Sequence, residues 1–155
     1  MNENMEQTYQ TILVGIDGSP QANHAFECAI EVARRNNGKV VAVAVIQHYM
    51  NDILGYTNAN SDILDIEAKE FERILEEIKD YAKSIDFDDV VTEVVFGSPK
   101  RLLAELLPEK YDADLIMVGQ TGLSNVERIM VGSVSEHVIR HAKCDVLIVT
   151  PQKED

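Results

Sequence analysis

The sequence predicts an α/β fold, one domain built on a five-stranded parallel sheet with helices on both faces. Three observations carry this. Short apolar runs rich in branched residues recur five times. Segments with apolar residues at helical spacing separate them, and connections of that length bring each strand back parallel through a right-handed crossover. The run VVAVAVI is apolar at every position from 40 to 46, as a strand covered on both faces requires.

Each element has its own signal. Strand one is residues 12–16 (ILVGI), ended by Asp17-Gly18. Ser19 then Pro20 reads as an N-cap followed by proline at the first helical position. Ala22, Ala25, Phe26, Ala29, Ile30 and Ala33 mark the buried face of that helix, and Asn36-Asn37-Gly38 stops it. Strand two is residues 40–46. The stretch 47–62, from Gln47 to Asp62, reads as irregular; loops over ~12 residues inside a compact domain are often functional. Ile66, Phe71, Ile74, Leu75, Ile78, Ala82 and Ile85 then mark a long amphipathic helix. Its acidic outer face (Glu67, Glu70, Glu76, Glu77, Asp80) reads most simply as solvated.

Strand three is residues 90–96 (VVTEVVF). Ser98-Pro99 repeats the cap-then-proline device, and Leu102, Leu103, Leu106 and Leu107 form the face of the next helix. Strand four is residues 114–118 (DLIMV). Val134, Val138, Ile139 and Ala142 mark the last helix, and residues 146–149 are strand five. These elements assemble as a Rossmann-like sheet with the expected order 3-2-1-4-5. Such sheets hold ligands beyond the carboxyl ends of their strands, where strand order reverses. The informative residues are therefore Asp17, the stretch after strand two, and whatever follows strand four.

Composition bounds the function. The chain has 155 residues, 45% of them hydrophobic, which suits one domain spanning residues 1–155 with a polar tail at 1–9. With 27 acidic against 14 basic residues the formal net charge is -13, which disfavours nonspecific nucleic-acid binding and anionic membranes. Two separated cysteines, Cys28 and Cys144, form no CxxC pair, as in a reducing compartment. The N-terminus lacks the basic and apolar regions of a signal peptide, and the longest apolar run is far below the ~20 residues of a membrane span. The expected location is the cytoplasm.

After strand four comes GQTGLSNVERIMVGS: Gly119, two residues, Gly122, nine residues, Gly132, Ser133. Glycine lets backbone approach a ligand closely. Gly132-Ser133 opens a helix, where unpaired N–H groups and the dipole attract phosphate. The plain alternative is that Ser133-Val134-Ser135-Glu136 is a capping box and Gly132 makes the turn. No Walker A loop and no Gly-x-Gly-x-x-Gly occurs in the chain.

The motif VGIDGS, the frame Gly-x2-Gly-x9-Gly-[Ser/Thr] and the run GSVSEHVIRHAKCDVLIV together resemble the universal stress proteins over nearly the whole chain. The complete frame is similar to that of the family's nucleotide-binding branch. The resemblance implies binding of ATP, or of AMP or ADP, with Mg or Mn held through the phosphates. It implies that Asp17 meets the adenosine end and that Val45 gives adenine a backbone contact. Val118 and Gly119 lie under the ribose, Gly122 in the phosphate loop, and Gly132, Ser133 and Val134 at the phosphate-binding helix start. It also implies a homodimer formed through the last strand, residues 144–150. Gln120-Thr121 departs from the family, where Ser or Thr followed by a basic residue is frequent; Arg128 is the nearest basic candidate.

No catalytic residue is assigned. Fast phosphoryl transfer lacks a positioned lysine, an arginine finger and a second acid for magnesium, so slow or absent hydrolysis is expected. Taken alone, Asp17 could be a general base or a metal ligand, but an Asp-Gly turn that ends the strand is the simpler reading. His137 and His141 stand four apart on a helix with Cys144 beyond, a spacing that can hold a metal. Basic residues at a helix C-terminus explain the histidines more simply, and no metal site is assigned. The alternative function is a dimeric interaction protein whose glycine frame is architectural.

Overall fold

The computed structural model describes residues 7–47, 59–120 and 132–151. β1 (Thr11–Ile16), β2 (Lys39–Ile46), β3 (Val90–Phe96), β4 (Leu115–Gly119) and β5 (Asp145–Val149) form one parallel sheet in the order β3-β2-β1-β4-β5, as the sequence predicts. The register sets Ile12 beside Val40 and Leu115, and Val14 beside Ala42 and Met117. Alternate residues then feed two cores. Ile12, Val14 and Ile16 join one, packed under α1 (Pro20–Asn36) and α2 (Ala59–Ser84). Leu13, Val41, Val43, Ile116 and Val118 join the other, under Leu103, Ala104, Leu107 and Val138.

The helix ends follow their sequence signals where a side chain or backbone must satisfy a terminus. Ser19 Oγ accepts from the Ala22 N–H at 3.1 Å, and Pro20 opens α1 where no N–H is needed. Asn37 ends α1 in the left-handed region (φ 51°), its N–H turned back to the carbonyls of Ala33 and Arg34. Asp114 stands just before β4: its carboxylate accepts from the Gln10 and Thr11 N–H groups at 2.8 and 3.0 Å, tying the start of β1 to the start of β4.

Two helices depart from expectation. α2 begins at Ala59, so the irregular stretch expected as far as Asp62 stops sooner; residues 48–58 lie outside the described residues. Ile66, expected on the apolar face, is 68% exposed, and Ile63 is exposed beside it. Ile63 and Ile66 belong to neither core cluster, so apolar periodicity misplaced Ile66 on the buried face.

After β3 the chain forms α3 (Pro99–Arg101), a π turn (Leu102–Leu106) and α4 (Leu107–Tyr111). Pro108 explains the interruption. It has no N–H to donate, and its ring would press on the carbonyl four residues back. The wider turn, in which the Leu107 N–H reaches Leu102 O, restarts the ladder so that Pro108 falls in the opening turn of α4. Leu107 now sits over Leu102, the buried stripe runs through Leu103, Ala104 and Leu107, and Leu106 is 42% exposed rather than part of the face.

The two sheet edges differ. On β3, Glu93 is clasped by Lys110 Nζ (2.7 Å) and by the Tyr111 hydroxyl. Burial pushes its carboxyl up, but the hydrogen bonds from Lys110 and Tyr111 outweigh that and hold it below its usual range. On β5 only Asp145 is charged; Val146 and Ile148 are half-buried and Leu147 is exposed. Asp145 is bound at the strand's start by Tyr9 Oη (2.8 Å) and Gln7 Nε2 (2.9 Å). Among the described residues no helix is long and apolar enough to cross a membrane.

Candidate functional site

A cavity of about 280 Å³ opens at the carboxyl ends of β1, β2 and β4, where the strand order reverses. Its floor is apolar: Gly15, Val43 and Val118 of the three strands, with Val45 at the rim of β2. Asp17 and Ser19 stand at one side. Gly132, Ser133, Val134 and Ser135, the start of α5 (Ser133–His141), stand at another. Seven of the eight residues singled out from sequence therefore line one cavity: Asp17, Val45, Val118, Gly119, Gly132, Ser133 and Val134. Gly122 and Arg128 lie outside the described residues.

The corner after β1 is built by Asp17 itself. Its Oδ1 accepts from the Ser19 N–H at 2.9 Å, and Gly18 takes φ +83°. The turn that the Asp-Gly pair predicts is thus present, and Asp17 is also the one charged side chain among the described residues that line the cavity.

Gly119 has a structural duty that sequence spacing concealed. A Cβ there would lie 2.5 Å from Gln21 O and 2.7 Å from Gln21 C, both backbone atoms of α1. The missing side chain lets the first turn of α1 sit directly on the end of β4. Gln120, next along, is 4% exposed and its N–H bonds Val149 O at 2.9 Å, so the first member of the unusual Gln-Thr pair is buried against β5.

The start of α5 overturns the capping-box reading. Gly132, not Ser133, is the N-cap, in extended conformation (φ -62°, ψ 162°) and with no side-chain cap hydrogen bond. Ser133 is the first helical residue and is exposed. Glu136 pairs with Arg140 at 2.7 Å instead of reaching back. Among the described residues no side chain caps the start of α5, and its first residues line the cavity; a helix start of this kind can receive an anion.

Other expectations on α5 sort differently. Ile139, assigned to the buried face, is 48% exposed. His137 and His141 stack with ring centroids 4.0 Å apart, and His141 Nδ1 lies 3.0 Å from His137 O. Neither lines the cavity. Among the described residues no group of three or more His, Cys, Asp or Glu gathers to hold a metal ion. Cys28 and Cys144 are free, and burial pushes both thiols up.

Sequence reasoning missed Ser135, Gln21, Pro99 and Leu103, all on the cavity wall. Ser135 carried a signal, a serine in the opening turn of the phosphate-type helix. Pro99 and Leu103 carried none, because the carboxyl end of β3 is not beside the strand-order reversal.

Residues 8–150 match the model of the universal stress protein family. The chain belongs to the universal stress protein family. A universal stress protein of Staphylococcus aureus (strain USA300) is 40% identical over 151 residues, covering 94% of this chain and 87% of the relative. The universal stress protein UspA from Lactobacillus plantarum superposes with a TM-score of 0.78 at 28% identity, over 93% of this chain and 99% of that one. A universal stress protein solved in complex with cAMP is 31% identical, with a TM-score of 0.67 over 92% of this chain and 98% of that one.

Proposed function

We propose that this universal stress protein binds an adenine nucleotide, ATP or its AMP and ADP relatives, in the cavity at the ends of β1, β2 and β4. It acts as a cytoplasmic regulatory binder with slow or no hydrolysis. The observation that carries the reading is the start of α5: an N-terminus without a side-chain cap, with an exposed serine, facing a cavity whose floor is apolar. Adenosine matches the floor of Val43, Val45 and Val118. The phosphates match the N–H groups of Ser133 and Val134, with the Ser133 and Ser135 hydroxyls beside them. A 31% identical family member solved with cAMP supports adenine as the base.

A divalent ion fits this cavity through the phosphates. Asp17 is the one carboxylate on the described lining, and one of its oxygens already accepts from the Ser19 N–H. Mg or Mn would there neutralise phosphate charge in a strongly acidic protein.

The proposed assembly is a homodimer through β5 and the residues around it, 144–150. This edge offers an apolar strand, while the other edge carries the Glu93 clasp. A second reading, an interaction protein with an architectural frame, is favoured by two observations. Gly119 is required by α1, and Asp17 holds its own turn.

One experiment separates these readings. Protein purified without added nucleotide is denatured and any released ligand is identified by mass spectrometry. ATP titrations of wild type and Gly122→Val run beside it, with a steady-state phosphate-release assay. Adenine nucleotide binding weakened by Gly122→Val is expected. No affinity for ATP or AMP at millimolar ligand would leave the interaction reading standing.

A further inference from the structure

We propose that Lys100 is a phosphate-binding residue of this cleft, the cation that meets the outer phosphates of a nucleotide at the start of α5. The proposal rests on the adenine-nucleotide reading above. It answers a difficulty that the cavity itself poses. The only charge on the described lining is the Asp17 carboxylate, and the whole chain carries 27 acidic against 14 basic residues. An approaching polyphosphate meets repulsion that helix N–H groups offset only in part.

Lys100 is placed to reverse that locally. Its neighbour Pro99 lines the cavity, and α3 and the π turn both touch α5. Ala104, four residues beyond Lys100, is buried in the same cluster as Val138 of α5. Lys100 thus follows a cavity-lining residue, on a short helix that touches α5. Among the described residues Lys100 is exposed and makes no ion pair. Its flexible four-carbon stem lets the ammonium seek a phosphate oxygen. Arg101, one residue on, lies about 100° further round the helix and is exposed as well, so it serves as the neighbouring control.

The test is calorimetric titration of ATP, AMP and adenosine into wild type, Lys100→Met, Lys100→Arg and Arg101→Met, with thermal unfolding of each. Lys100→Met is expected to weaken ATP about tenfold, as loss of one charge-assisted contact does, and adenosine by less than about twofold. Lys100→Arg restores most of the ATP affinity, and Arg101→Met leaves it within about twofold. ATP binding to Lys100→Met also loses part of its salt dependence. Unchanged ATP affinity in Lys100→Met, or equal losses for ATP and adenosine, overturns the role of Lys100 while leaving the nucleotide reading intact. Wild type that binds none of the three ligands overturns both.

Discussion

Gly119→Ala separates a glycine kept for the fold from a glycine kept for a ligand. The added methyl would meet Gln21 O at 2.5 Å and Gln21 C at 2.7 Å. Both fall about 1 Å short of an ordinary contact of ~3.5 Å. Neither atom is the end of a flexible side chain. To make room, the first turn of α1 must lift from β4, and that turn also holds the Ser19 cap and the cavity residues Gln21 and Ala22. Overpacking of this kind costs about 2 kcal/mol. For a chain of this length that lowers the melting temperature by about 4–8 °C. The assay is thermal and urea unfolding of the protein without nucleotide, followed by ATP titration. Unchanged stability together with lost affinity would refute the reasoning and return Gly119 to the ligand.

Three further outcomes are expected. Gly132→Asp supplies the side-chain cap that α5 lacks, so stability rises by a few tenths of a kcal/mol. It also sets a carboxylate where phosphate would bind, and ATP affinity falls more than about tenfold; unaltered affinity by titration would count against the phosphate subsite. Glu93 titrates below its usual 4.5 in the folded chain, so the clasp stabilises above that value and is lost as pH falls through the lower folded one. Urea midpoints of Glu93→Gln should therefore fall less steeply in acid than those of wild type, and parallel curves would deny the clasp its role. In the proposed homodimer, Leu147→Glu places a charge on the paired edge and should shift the protein toward monomer by light scattering, with its melting temperature no longer depending on protein concentration; a wild type that is monomeric, or a variant that stays dimeric, would count against pairing through β5.

Much of the fold could be read from local rules. Strand positions followed from apolar runs such as 40–46, and the ends of α1 followed from Ser19, Pro20 and Asn37, residues with one good way to meet a helix terminus. Non-local facts escaped. The phase of Leu106 depends on a π turn set by Pro108, and Ile66 of α2 belongs to neither core cluster. At the cavity, spacing gathered the right residues but misjudged two duties. Gly119 makes room for a helix that follows β1, a contact only the assembled sheet creates, and the cap of α5 lies one residue earlier than the Ser-x-x-Glu pattern places it.

The unlike edges of the sheet set how copies of this protein can add to one another. Each edge strand carries one charged residue: on β5 it is Asp145 at the strand's start, leaving Leu147 exposed beyond it, and on β3 it is Glu93 in mid-strand, tied down by a lysine and a tyrosine. In the proposed homodimer two β5 edges would pair across a two-fold axis. Both would then be consumed, and growth would end at a pair instead of continuing into a fibre.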